Sequence, residues 1–168
     1  GEFDDWDGVP LSVFDPIGDA TGEFDLTTVW VTSDADRVCV SFDVGRDDLN
    51  LQDGAYSVPE GVEIVATFND PADTSIVITT LSHRFLLTQN GSSNFLLSAQ
   101  SGFYLLPTFA SRRYEFSLPR TLAPGATQVQ VAFTASDEVV TDPVMLSDAP
   151  TPERAATFER HERTQLRI

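Results

Sequence analysis

The chain contains no lysine. All 10 of its cations are arginine, set against 26 acids, for a formal net charge of −16 and an isoelectric point near 4.1. So negative a body is repelled by phosphate backbones and anionic lipid surfaces, which argues against nucleic-acid binding by this domain. No apolar run approaches the roughly 20 residues that cross a bilayer as a helix, so no membrane insertion is expected. The single cysteine, Cys39, forbids an internal disulfide, and a lone mid-strand thiol is by default a small buried or half-buried group. Histidine occurs only at His83 and His161. There is no G-x-S-x-G elbow, H-E-x-x-H pair, C-x-x-C motif or glycine-rich phosphate loop. With 26 acids, some carboxylate pair always stands at glycosidase spacing, so acid pairing alone carries no information. No catalytic residue is assigned, and this chain alone is not expected to be an enzyme.

What is present is a folded composition, 41% hydrophobic and 21% charged, organised in twos. Val38, Val40, Phe42 and Val44 alternate with Arg37, Cys39, Ser41 and Asp43. The same beat recurs at Val62–Phe68, Tyr114–Leu118 and Val129–Ala135. Because successive side chains on a strand point to opposite faces, each run should bury one face and wet the other. Further β-rich runs are Leu26–Thr32, Ser75–Leu81, Arg84–Thr88 and Asn94–Ser98, and Asn90-Gly91 between the last two suits a tight hairpin. Many short strands with turns between them predict an all-β, antiparallel, jelly-roll-like sandwich over residues 1–150. Residues 151–168 read as a linker or the start of a following domain. That tail is either a short helix, capped by Thr151 with Pro152 at its first position, or extended chain.

Charge is unevenly spread. Residues 1–150 hold 23 acids and 6 Arg, a balance of −17, whereas 151–168 hold 3 acids and 4 Arg, a balance of +1. Residues 1–54 alone hold 14 acids against 2 Arg. Within them Asp15, Asp19, Glu23 and Asp25 share an 11-residue loop with Pro16, Gly18 and Gly22. Carboxylates so crowded repel unless a cation sits among them, and Ca²⁺ accepts six to eight oxygens, including carbonyls that flexible glycines present. The alternative is a solvated acidic loop closed by Asx-turns. Trp6 and Trp30 are the only tryptophans. Trp30 lies between Val29 and Val31, so one set faces outward: either Trp30 belongs to the core, or it offers a ring on which a sugar stacks. Tyr104 is a second aromatic candidate.

These residues resemble a known group. Gly1-Glu2-Phe3-Asp4-Asp5-Trp6-Asp7-Gly8-Val9-Pro10 resembles the "D-G-x-x-D-D-W-x-G" start of bacterial domains similar to family 9 carbohydrate-binding modules, in the DOMON-like sandwich group. The match continues through Asp15-Pro16-Ile17-Gly18-Asp19, Asp25-Leu26, the Val29–Val38 hairpin and Tyr114-Glu115-Phe116-Ser117-Leu118-Pro119. The resemblance implies a non-catalytic, calcium-bearing module of a larger secreted or cell-surface bacterial protein. Asp15, Asp19 and Asp25 are the carried-over metal positions, Trp30 or Tyr104 the ligand-binding ones, and a polysaccharide the partner. The family's paired sugar-clamping aromatics are not matched securely, so a purely structural or protein-interaction domain is the alternative. Arg163-Thr164-Gln165-Leu166-Arg167-Ile168 resembles the "L-R-I" opening of endonuclease/exonuclease/phosphatase-family domains, which implies an attached catalytic domain.

Overall fold

A computed structural model describes residues 3–21, 25–51, 63–79, 84–97, 102, 104–134 and 138–148. The order is β1 (Val13–Phe14), β2 (Thr28–Ser33), β3 (Arg37–Asp43), β4 (Glu63–Phe68), β5 (Ser75–Thr79), β6 (Arg84–Gln89), β7 (Ser92–Leu97), β8 (Tyr104–Leu106), β9 (Arg113–Pro119), β10 (Gln128–Thr134), β11 (Glu138–Val140) and β12 (Val144–Met145). Single 3₁₀ turns stand at Asp4–Trp6 and Arg120–Leu122. The protein is an antiparallel β-sandwich. Its five-stranded sheet runs β1-β2-β3-β9-β8; the seven-stranded sheet runs β11-β10-β4-β5-β6-β7, with β12 also paired to β10.

The inward residues are those the period-2 pattern marks. Val29 and Val31 on β2, Val38, Val40 and Phe42 on β3, and Val129, Val131 and Phe133 on β10 all join one core. Phe42 joins the sheets: its ring centroid lies 6.0 Å from Tyr114 and 6.4 Å from Phe116 on β9, and 5.1 Å from Phe133 on the opposite sheet. The Tyr114 hydroxyl donates to the Leu49 carbonyl at 2.6 Å and accepts from the Leu51 amide at 3.2 Å. That pins buried Leu49 and Leu51 over one end of the core. Asn90 and Gly91, at φ +49° and +73°, turn the β6–β7 hairpin as their sequence suggests.

One expectation fails on β3. Its alternate face, Arg37 to Asp43, should be wet, yet Ser41 is buried there beside Cys39, the thiol expected to be buried. The cause is a second, smaller core on the outer face of the five-stranded sheet. There Trp6 and Cys39 pack with Phe3, Val9 and Trp30. The N-terminal segment thus crosses a face that alternation assigns to solvent. Residues 151–168, where a cap at Thr151 and a helical or extended tail are expected, lie outside the described residues, as do Glu23, His83 and His161.

Candidate functional site

The acidic loop follows β1, the edge strand paired to β2 at Val13↔Val29. The Asp15 amide donates to the Thr27 carbonyl at 2.9 Å, which ties one end of the loop to the chain entering β2. Gly18 adopts φ +87°, and its amide donates to Asp25 Oδ2 at 2.8 Å, folding the loop back on itself. Asp15, Asp19 and Asp25 consequently converge: one carboxylate oxygen from each lies within 4.8 Å of the others. Asp15 and Asp25 are half-buried and Asp19 is exposed. The other Asp25 oxygen, Oδ1, is buried with no hydrogen-bond partner.

Two tests bear on whether a cation fits. Oxygens bound to one Ca²⁺ at about 2.3–2.6 Å can stand no more than about 5 Å apart. The 4.8 Å spread meets that limit. Repulsion points the same way: three carboxylates held this close favour a positive charge among them, less strongly where water reaches Asp19. Oxygen-only ligands and a desolvated, unbonded carboxylate oxygen suit a hard cation such as Ca²⁺. Gly45, absent from the sequence motifs, completes the support. It sits at φ +76°, and a Cβ there would stand 3.0 Å from the Asp25 carbonyl oxygen. Only its positive φ marks it, and positive φ cannot be read reliably from one glycine in a sequence.

Trp30 lies on the outer face of β2, half-buried. The Arg113 guanidinium stands 4.3 Å from its ring centroid and 4.9 Å from that of Phe3. Arg113 Nε also donates to Ser41 Oγ at 2.9 Å. Beside it, Trp6 Nε1 donates to Glu115 Oε2 at 2.9 Å, with both residues buried. Trp30 is therefore part of the small core and shares its ring with a cation. Tyr104 is on β8, opposite Ser117, three strand steps from β2 across the same sheet. The strands that carry the two aromatic candidates are not neighbours in the sheet. Neither the Trp6–Glu115 pair nor the Arg113 stack is marked in the sequence, because each partner lies more than 80 residues from the other or on a strand read as wet.

An open cleft of about 340 Å³ lies between the end of β2 and β12, lined by Leu11, Ser12, Thr32, Asp142, Val144 and Met145 among others. Among the described residues, no helix is long and apolar enough to cross a membrane.

No protein-family model matches the chain, and a search of curated proteins gives no relative. The chain is similar in structure to a family 9 carbohydrate-binding module from Caldicellulosiruptor kristjanssonii in complex with glucose, at a TM-score of 0.46 and 14% identity, over 88% of this chain and 90% of that one. It is likewise similar to a family 9 module from the same organism in complex with cellotriose, at a TM-score of 0.44 and 13% identity, over 87% of this chain and 86% of that one. Both are family 9 modules.

Proposed function

We propose that this chain is a non-catalytic carbohydrate-binding module, braced by Ca²⁺, that serves a larger secreted or cell-surface protein. The observation that supports it best is the convergence of Asp15, Asp19 and Asp25 at the motif positions, with Asp25 Oδ1 buried and unbonded. Asp15, Asp19 and Asp25 would hold the ion, and carbonyls of the Gly18 loop are within the same turn of chain. The ion would relieve the repulsion among the three carboxylates and tie the edge strand β1 to the chain entering β2. It supplies stability, not bond-breaking.

The test is a melting scan in Ca²⁺ and in EDTA. A ligand that binds only the native state adds RT ln(1 + [L]/Kd), about 2.7 kcal/mol at a hundredfold excess over Kd. For a domain of this length that is roughly 5–10 °C. Asp25→Asn should abolish the difference between the two conditions. Equal melting of the wild-type chain in Ca²⁺ and EDTA would remove the metal. A glycan panel tests the carbohydrate half separately.

A further inference from the structure

The outer face of the seven-stranded sheet is patterned in rows. Register places Val140 opposite Ala132, Ala132 opposite Val65, Val65 opposite Val77, Val77 opposite Leu86 and Leu86 opposite Phe95. All six point away from the core, since their strand neighbours Val139, Phe133, Ile64, Ile76 and Phe85 are buried in it. One apolar stripe therefore crosses six strands in sequence. Its inner members are half-buried, while Phe95 is 73% exposed and Val140 45%. Two residues along the strands runs a parallel row of hydroxyls and amides: Gln130, Thr67, Ser75, Thr88 and Ser93. The charged residues on the seven strands of this sheet are Glu63, Glu138 and Arg84, all in the row on the other side of the stripe: both acids pair with Thr134, and Arg84 pairs with Leu97.

We infer that this face is the platform for an uncharged, linear polysaccharide, laid across the strands with its C–H faces on the stripe and its hydroxyls against the polar row. The inference rests on the carbohydrate-binding reading above and gives it a location. Three physical points select this occupant. First, five strand steps of about 4.8 Å make the stripe about 24 Å long, and one row is about 7 Å wide, so the apolar strip covers only about 170 Å². A stable protein partner or second copy buries about 800 Å² per side, whereas a single polymer chain is a ribbon of the stripe's own shape. Second, on a chain of net charge −16 this face has only two acids and one arginine at its strand positions, so it carries little charge for a basic peptide and does not repel a neutral ligand. Third, the pairing of an apolar row with a hydroxyl and amide row matches the two-sided chemistry of a sugar chain, with Phe95 as the ring at its end.

The experiment is affinity electrophoresis of the whole chain through gels containing hydroxyethylcellulose, arabinoxylan or galactomannan. It compares wild type with Phe95→Ser, with the double variant Val77→Thr/Leu86→Thr, and with Asp48→Asn as an off-face control. Phe95 is exposed enough that Phe95→Ser should keep the fold, and melting temperatures check every variant. Retardation of the wild type by one of these polymers is expected, with Phe95→Ser weakened roughly five- to tenfold, the double variant at least as much, and the control unchanged. If the wild type is retarded and the stripe variants match it, the platform is overturned while the carbohydrate-binding reading stands. If no polymer retards the wild type, that reading falls and the platform falls with it. If light scattering instead shows a dimer that the stripe variants dissolve, a second copy occupies the face and the inference is wrong.

Discussion

Replacing Trp6 with phenylalanine isolates what anchors the N-terminal segment to the five-stranded sheet. The indole N–H donates to Glu115 Oε2 at 2.9 Å, with Trp6 4% and Glu115 1% exposed. Phenylalanine keeps an aromatic ring over Cys39 but deletes the donor. A hydrogen bond to a charged group contributes about 1.5–3 kcal/mol, and a carboxylate left buried without it bears the desolvation cost. The smaller ring also leaves a gap that costs about another 1 kcal/mol. The expected loss is about 3 kcal/mol, or roughly 6–12 °C in Tm for a domain of this length. Circular dichroism melting and urea titration both measure it. A cycle with Glu115→Gln should show a coupling of about 1–2 kcal/mol between the two sites. If Trp6→Phe melts within about 1 °C of wild type, the segment lies on the sheet without stabilising it, and the small core is decorative.

Two further outcomes follow from the same geometry. Burial pushes the Tyr114 phenol above its ordinary value, against the opposing pull of the Leu51 amide hydrogen bond. The fold therefore favours the neutral phenol, and that contribution is complete below about pH 10 and lost as pH rises beyond it. Tyr114→Phe should cost about 1–2 kcal/mol at neutral pH and flatten the alkaline fall in Tm; parallel wild-type and variant profiles between pH 9 and 11 would contradict this. Gly45→Ala forces a side chain into φ +76° and places its Cβ 3.0 Å from the Asp25 carbonyl. It should cost about 1–2 kcal/mol or more and shrink the Ca²⁺-dependent rise in Tm, and a variant indistinguishable from wild type in both conditions would refute the supporting role.

The long strands were legible because burial imposes a period on them. β10 alternates in burial over seven residues, and the residues of β3 alternate in polarity over as many, enough for the pattern to stand out. Strands β1, β8, β11 and β12 have two or three residues, too few to display a period, and they owe their pairing to longer neighbours. The burial of Ser41 and Glu115 was illegible for another reason. Alternation tells which residues share a face, not whether a distant segment will cover it, and the covering segment here is 30 to 109 positions away. The three converging aspartates were visible as a cluster because they lie within eleven residues, so loop closure alone brings them near one another. Their supporting glycine, Gly45, comes from the end of the next hairpin and carries no such mark.

Both tryptophans of the chain, Trp6 and Trp30, sit in the small outer core, and neither belongs to the main one. Intrinsic indole emission consequently watches the N-terminal segment and its arginine stack, while the interior of the sandwich is optically silent in that channel. An emission-monitored unfolding curve that precedes the far-ultraviolet ellipticity curve would record the segment lifting away from an intact sandwich. Coincident curves would mean that segment and sandwich melt as one cooperative unit.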